Sequence, residues 1–337
     1  PLIPISAFLI PQHQHIFFSI LHATRVFTQP GYNRKVLLME YKVFDIQRRV
    51  VAHKTVESWE TIPHVGIIID LDVGNIQAFI NQTRTHPDFA DVRLTMNSVM
   101  LKIIAEAMKA SEDMNTHIEY SRTDRVGLLH MLDTIDIAIP LLAHDRRLIT
   151  PVLRDVGGKS LPDVCRAMET LRERSKNTNI DLLLYEAGLD DTLKCLRKGQ
   201  VFTMIKRLWA NLAGPHRIKL PSKKERKAYF ARPATERLVA QDLLDASIVV
   251  SNVGSVMPEL RCHVSILEII APAVSVIALA GVHKEPRVET DENGVDRVVI
   301  REIMPLTFCF DHRALDFADL TDFLERLLEL AAAHVER

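Results

Sequence analysis

The residues best equipped for chemistry lie near the C-terminus. They are Asp311-His312-Arg313 followed by Asp316. A histidine titrates near 6.5, so a neutral imidazole can take a proton from an acceptor group and later return it. A carboxylate four residues further on could orient that ring or cap a helix. The two readings of His312 are a general base and a structural histidine closing a strand.

The flanking sequence predicts how these side chains are held. Val298–Phe310 is β-rich, with Val298, Val299, Ile300 and Ile303. After Asp316, residues Leu320, Phe323, Leu324, Leu327, Leu328 and Ala331 recur at helical spacing, which gives one apolar face. The histidine therefore sits on a strand-to-helix turn, where a rigid scaffold presents side chains to a cleft.

Composition limits the alternatives. The chain has 337 residues, 47% of them apolar and 25% charged, with a formal net charge of −1. That balance suits a globular chain of one large or two ordinary domains and gives no field favouring nucleic acid. Cys165, Cys195, Cys262 and Cys309 form no CxxC pair, which fits a reducing, cytoplasmic setting. Fourteen histidines show no metal-ligand spacing. No apolar run reaches the roughly 20 residues of a membrane span. The apolar N-terminal stretch is broken by proline and glutamine and reads as a packed arm, 1–47.

Between these ends the pattern alternates. Arg48–Ser58 reads as a helix, and Thr61-Ile62-Pro63-His64-Val65 leads into a strand at Gly66–Val73. Asn75–Thr85 and Thr95–Ser111 read as helices, the second strongly apolar. Thr134–Leu142 and Leu148–Val152 read as strands, and Ser160–Lys176 as a helix. Ala246–Gly254 and Val274–Val282 read as strands, and Asn293-Gly294 marks a hairpin tip.

In this order the segments resemble the catalytic domain of the acyltransferase component of 2-oxo acid dehydrogenase complexes, the dihydrolipoamide acyltransferases. The resemblance is carried by the TIPHV passage and by Ile149, Pro151, Val152, Leu153, Lys159, Ser160 and Leu161. It continues through Ser251, Asn252 and Gly254 and ends in Asp311, His312, Arg313 and Asp316. It covers about 48–176 and 246–335. It implies an α/β fold like that of chloramphenicol acetyltransferase, a two-layer sandwich of a mixed sheet and packed helices. The catalytic domain is then 48–337, with a helical and basic insertion at about 180–244.

The resemblance also implies roles. His312 deprotonates a thiol, Ser251 donates to the oxyanion, and Asp316 fixes the loop bearing the histidine through an arginine, with Arg48 the partner by position. Asp311, Arg313 and Asn252 support the site. The acyl carrier is coenzyme A alone, a separate carrier protein, or part of a longer chain, and a lipoyl group must come from another domain or protein. The site is shared across the interface of a homotrimer, alone or within a higher assembly of trimers, histidine from one subunit and serine from its neighbour. Phe317 stands where the family motif closes with glycine. Since glycine tolerates positive φ, a bulky residue forced there is strained; either the turn is built differently, or Phe317 fills part of the site and narrows or blocks the acyl pocket.

The insertion carries Phe202, Ile205, Trp209 and Leu212 on one helix face, then a basic run of Arg217, Lys219, Lys223, Lys224, Arg226 and Lys227. It reads as a solvated surface, or as a dock for an acidic partner, a phosphate-bearing carrier or an anionic membrane surface. Two other functions fit the same residues: an O-acyltransferase acting on a small alcohol, and an inactive trimeric scaffold.

Overall fold

The computed structural model describes residues 43–143, 145, 147–197 and 221–333. The expected N-terminal arm up to residue 42, the apolar helix face of 202–212 and the cations Arg217 and Lys219 lie outside the described residues.

The chain enters through α1 (Ile46–Thr61), whose first turn is closed by the Asp45 carboxylate accepting from Arg48 N at 2.7 Å. It then runs through β1 (His64–Asp72), α2 (Gly74–Thr83) and α3 (Met96–Met108). Thr95 and Ser98 close the α3 N-terminus with a reciprocal capping box. A hairpin of β2 (Thr116–Ser121) and β3 (Val126–Met131) follows. Next come four two-residue strands, β4 (Ile137–Ala138), β5 (Leu141–Leu142), β6 (Leu148–Ile149) and β7 (Val152–Leu153). Then come α4 (Leu161–Lys176), capped by Ser160, α5 (Ile180–Arg197) and the short α6 (Lys223–Phe230). The last part holds β8 (Ile248–Asn252), β9 (Ser275–Leu279), β10 (His283–Thr290), β11 (Asp296–Asp311) and α7 (Thr321–Ala332).

The main sheet is mixed, in the order β1-β11-β9-β8-β4-β7, with β10 also on β11. The pairs β1·β11 and β11·β9 are antiparallel, and β9·β8 and β8·β4 are parallel. Helices α3 and α7 cover one face. Their apolar stripes bury Leu101, Ile104, Met108, Phe323 and Leu327 against Phe308 and Phe310 of β11. Phe308 and Phe323 meet with ring centroids 5.3 Å apart.

β11 is the spine. Its second half, Ile303–Asp311, is buried between β1 and β9, and its first half pairs only with β10. The β10–β11 hairpin thus runs beyond the sheet to a turn with Gly294 at φ 77°. One face of this arm carries linked charges: Arg287 with Asp70 and Glu285, and Arg301 with Glu289. The other face carries Val288 opposite Val298, and Ile300, which is 73% exposed.

Two expectations change here. The strand pair read across Thr134–Val152 is broken into four short pieces, because its residues partner β8, β7 and each other in turn. The segment from Ile180 is not inserted surface: Ile180 and Leu183 are in the core. Asp181 holds Arg147 and Glu186 holds the buried Arg237.

Candidate functional site

β11 ends at Asp311, and the turn after it is fixed from several sides. Asp311 N donates to Val274 O of the stretch entering β9, and His312 N donates to Pro63 O just before β1. Asp311 itself is fully buried. Its carboxylate accepts from Arg313 N at 2.9 Å and from the Arg313 guanidinium at 2.6–3.1 Å. The guanidinium also lies over the Tyr120 ring of β2, 5.5 Å from its centroid. The backbone on both sides of His312 is therefore pinned by its neighbours.

The imidazole is held in one tautomer. Nδ1 lies 3.1 Å from Leu315 O and 3.2 Å from Asp316 Oδ1, and both are acceptors. In the neutral ring the proton therefore belongs on Nδ1, which leaves the lone pair on Nε2. Among the described residues Nε2 makes no hydrogen bond, and the ring is half exposed. An edge-on Phe310, at 5.7 Å, supports it from below.

His64, directly opposite Asp311 on β1, has the contrary fate. Its Nε2 accepts from Ile269 N at 3.1 Å and its Nδ1 bonds Ile62 O at 2.9 Å, with Trp59 stacked on the ring. Both nitrogens are occupied in tying the 255–272 loop to α1.

The expected ion pair of Arg48 with Asp316 is absent. Arg48 is exposed in the first turn of α1, and Asp316 instead faces His312. Nor does Asp316 cap α7, whose N-cap is Leu320 without a side-chain bond. Phe317 has φ −60° and ψ −32°, an ordinary helical conformation, so the turn needs no glycine and carries no strain there. Its side chain is 59% exposed.

Ser251 lies in β8, half-buried, and its Oγ makes no hydrogen bond among the described residues. The turn after it is braced. Asn252 Nδ2 donates to Asn97 Oδ1 at 3.0 Å, and Asn252 Oδ1 accepts from Ser255 N at 2.7 Å. Gly254 is required by close approach: a Cβ there would fall 2.6 Å from Ala280 O and 2.7 Å from Gly281 Cα. Gly254→Ala is expected to push the turn off the β9–β10 junction. The cost, about 1–3 kcal/mol, is that of overpacking, and chemical denaturation reads it directly.

The structure does not bring Ser251 to His312 within one chain. Ser251 pairs with Ala278, and Ala278 with Thr307, five residues before His312. Two strand spacings of about 4.8 Å and five residues of about 3.3 Å separate the two backbones by about 19 Å. No side-chain rotamer closes that gap.

Among the described residues no group of three or more His, Cys, Asp or Glu could hold a metal, and no helix is long and apolar enough to cross a membrane. Cys165, Cys262 and Cys309 are free, and burial pushes the Cys165 and Cys309 thiols up.

The family model of the 2-oxoacid dehydrogenases acyltransferase (catalytic domain) matches residues 41–183 and 221–334. The chain belongs to this family. The stretch left unmatched, 184–220, is narrower than the expected insertion, so Lys223–Lys227 of α6 lies inside the family's span. Among curated relatives, the dihydrolipoyllysine-residue acetyltransferase component of the pyruvate dehydrogenase complex of Rhizobium meliloti is 28% identical over 43% of this chain and 32% of its own length. That of Corynebacterium glutamicum is 21% identical over 82% of this chain and 31% of its own. The chain thus spans well under half the length of these relatives.

Two solved structures share the fold of this acyltransferase-family chain. A dihydrolipoamide acetyltransferase of Azotobacter vinelandii, studied for the catalytic roles of a serine, a histidine and an asparagine, has a TM-score of 0.59 at 19% identity, covering 90% of this chain and 96% of the other. The cubic core of a pyruvate dehydrogenase multienzyme complex has a TM-score of 0.58 at 18% identity, with coverage of 90% and 96%.

Two residues around the family's motifs escaped the sequence reading. Asn97 and Tyr120 act through partners far away in the chain, Asn252 and Arg313, and carry no local pattern.

Proposed function

We propose that the chain is the catalytic domain of a dihydrolipoyl acyltransferase, moving an acyl group between coenzyme A and a lipoyl thiol supplied by another domain or protein. The observation that supports this most is His312, whose Nδ1 is held by Leu315 O and Asp316 while Nε2 is bare. Nε2 takes the acceptor thiol's proton as its sulfur adds to the thioester carbonyl. The negative charge that builds on the carbonyl oxygen is met by the Ser251 hydroxyl. Collapse of the tetrahedral intermediate expels the second thiolate, which recovers the proton from Nε2. The Asp316 carboxylate stabilises the imidazolium between these steps, and Asp311 and Arg313 hold the backbone on either side. The asparagine studied in the Azotobacter protein stands four positions after its histidine, the same offset as Asp316 from His312.

The separation of about 19 Å within one chain favours a reading in which the two groups come from different copies. The working unit is then a cyclic homotrimer in which each seam takes His312 from one protomer and Ser251 from the next. The bare apolar face of the β10–β11 arm, with Val288, Val298 and Ile300, suits burial on a neighbouring copy.

Complementation tests this reading. His312→Ala and Ser251→Ala chains, each inactive alone, are unfolded, mixed in equal amounts and refolded together. Acyl transfer from acetyl-CoA to dihydrolipoamide is then measured. In a random cyclic trimer about one seam in four joins an intact His312 to an intact Ser251. About a quarter of wild-type turnover is therefore expected. A mixture as inactive as its parents overturns the shared site.

A further inference from the structure

Exposed apolar side chains are common and carry no meaning singly. Here, however, they stand beside both halves of the proposed site. On the base side, Phe317 follows Asp316, the residue that faces the His312 ring, and is 59% exposed. Its backbone is unstrained and its position needs no large side chain to hold the turn. On the donor side, Ser251 leads into the turn 253–255, and the chain stays close. Val256 N and Met257 N both donate to Val253 O at 3.0 Å. Val256 is 58% and Met257 55% exposed. The loop beyond them is anchored, because Gly281 lies against Pro258 O so tightly that a Cβ would come within 2.9 Å. Both apolar lips thus follow shortly in the chain after the polar group they flank, and both are more than half exposed.

When His312 of one protomer meets Ser251 of its neighbour, the two lips are carried to the same seam. We propose that Phe317 of one protomer and Val256 and Met257 of the next form an apolar wall around the reacting thioester, and that this wall limits the acyl chain to short lengths. The inference rests on the acyltransferase reading and on its shared site. Phe317 is a ring with two rotatable bonds, which sets a firm boundary. Met257 is unbranched and adaptable, and fills what the ring leaves. A pocket that must hold a methyl but has no room for further methylenes discriminates by about 10–200-fold per methylene.

The test compares acetyl-, butyryl- and hexanoyl-CoA as donors to dihydrolipoamide. The proteins are wild type, Phe317→Ala, Met257→Ala and the double variant, each confirmed as the wild-type oligomer by size-exclusion chromatography. Either single variant is expected to raise the hexanoyl-to-acetyl ratio of kcat/KM about tenfold, and the double variant is expected to gain less than the product of the two. A ratio within twofold of wild type in both singles overturns the wall while leaving the acyltransferase reading in place. Fully multiplicative gains overturn the shared wall, since the two residues would then act apart. Wild-type protein that transfers none of the three acyl groups overturns the reading and the wall together. Should Phe317→Ala fail to assemble, Phe317→Leu serves: an intermediate ratio supports the proposal, and an unchanged one rejects it.

Discussion

His312→Ala is expected to lower acyl transfer by about 10²–10⁴ in kcat, the contribution of a well-placed general base. The change should fall on kcat with little movement in KM for acyl-CoA, because in the proposed mechanism the imidazole serves the reaction step and not the holding of the donor. The fold should be indifferent. His312 is half exposed, and the bonds that set its backbone, from His312 N to Pro63 O and from Asp311 N to Val274 O, are independent of the ring. The contrast with His64 sharpens the experiment. His64→Ala removes an acceptor for Ile269 N and a partner for Ile62 O, so it should cost stability and leave turnover per folded chain almost intact. Steady-state kinetics beside urea denaturation separates the two. Turnover of His312→Ala within a few-fold of wild type would remove His312 from the mechanism.

Arg313→Ala is expected to give the largest loss of stability of any single change at the site. Asp311 is completely buried, and Arg313 supplies its guanidinium bonds. Removing one member of such a pair leaves an uncompensated charge and costs about 3–5 kcal/mol. The pair Asp311→Asn with Arg313→Met should recover part of that loss, because no buried charge is then stranded. Turnover should fall as well in Arg313→Ala, since the ion pair brackets His312 on both sides. Guanidinium unfolding of the three proteins measures the effect, and a loss under about 1 kcal/mol in Arg313→Ala would show that the pair does not hold the turn.

Much of the architecture is legible in sequence because it follows from periodicity. The apolar stripe of Leu320, Phe323 and Leu327 becomes α7, and the run ending at Asp311 becomes β11, within a residue or two of the pattern. The Asn293-Gly294 turn is equally plain, since only the positive φ of Gly294 distinguishes it. What resists reading is whatever depends on partners far along the chain. The short strands β4 to β7 take different neighbours in succession, so no single stretch shows a strand's alternation. Arg48 matches by position, yet the start of α1 leaves it in solvent and Asp316 turns to the histidine. Phe317 signals strain only if its φ is positive, and φ is set by the following helical turn, not by the motif. The role of Ile180 and Leu183 in the core is likewise invisible, because a helix that closes a core and one that starts an insertion share the same apolar spacing.

The distance between Ser251 and His312 along the ladder has a consequence for handling the protein. On the shared-site proposal, a solitary chain holds half of each of two reaction centres and none entire. Dilution below the dissociation constant should therefore silence turnover while circular dichroism stays native, and specific activity should climb with protein concentration until every chain has found its neighbours.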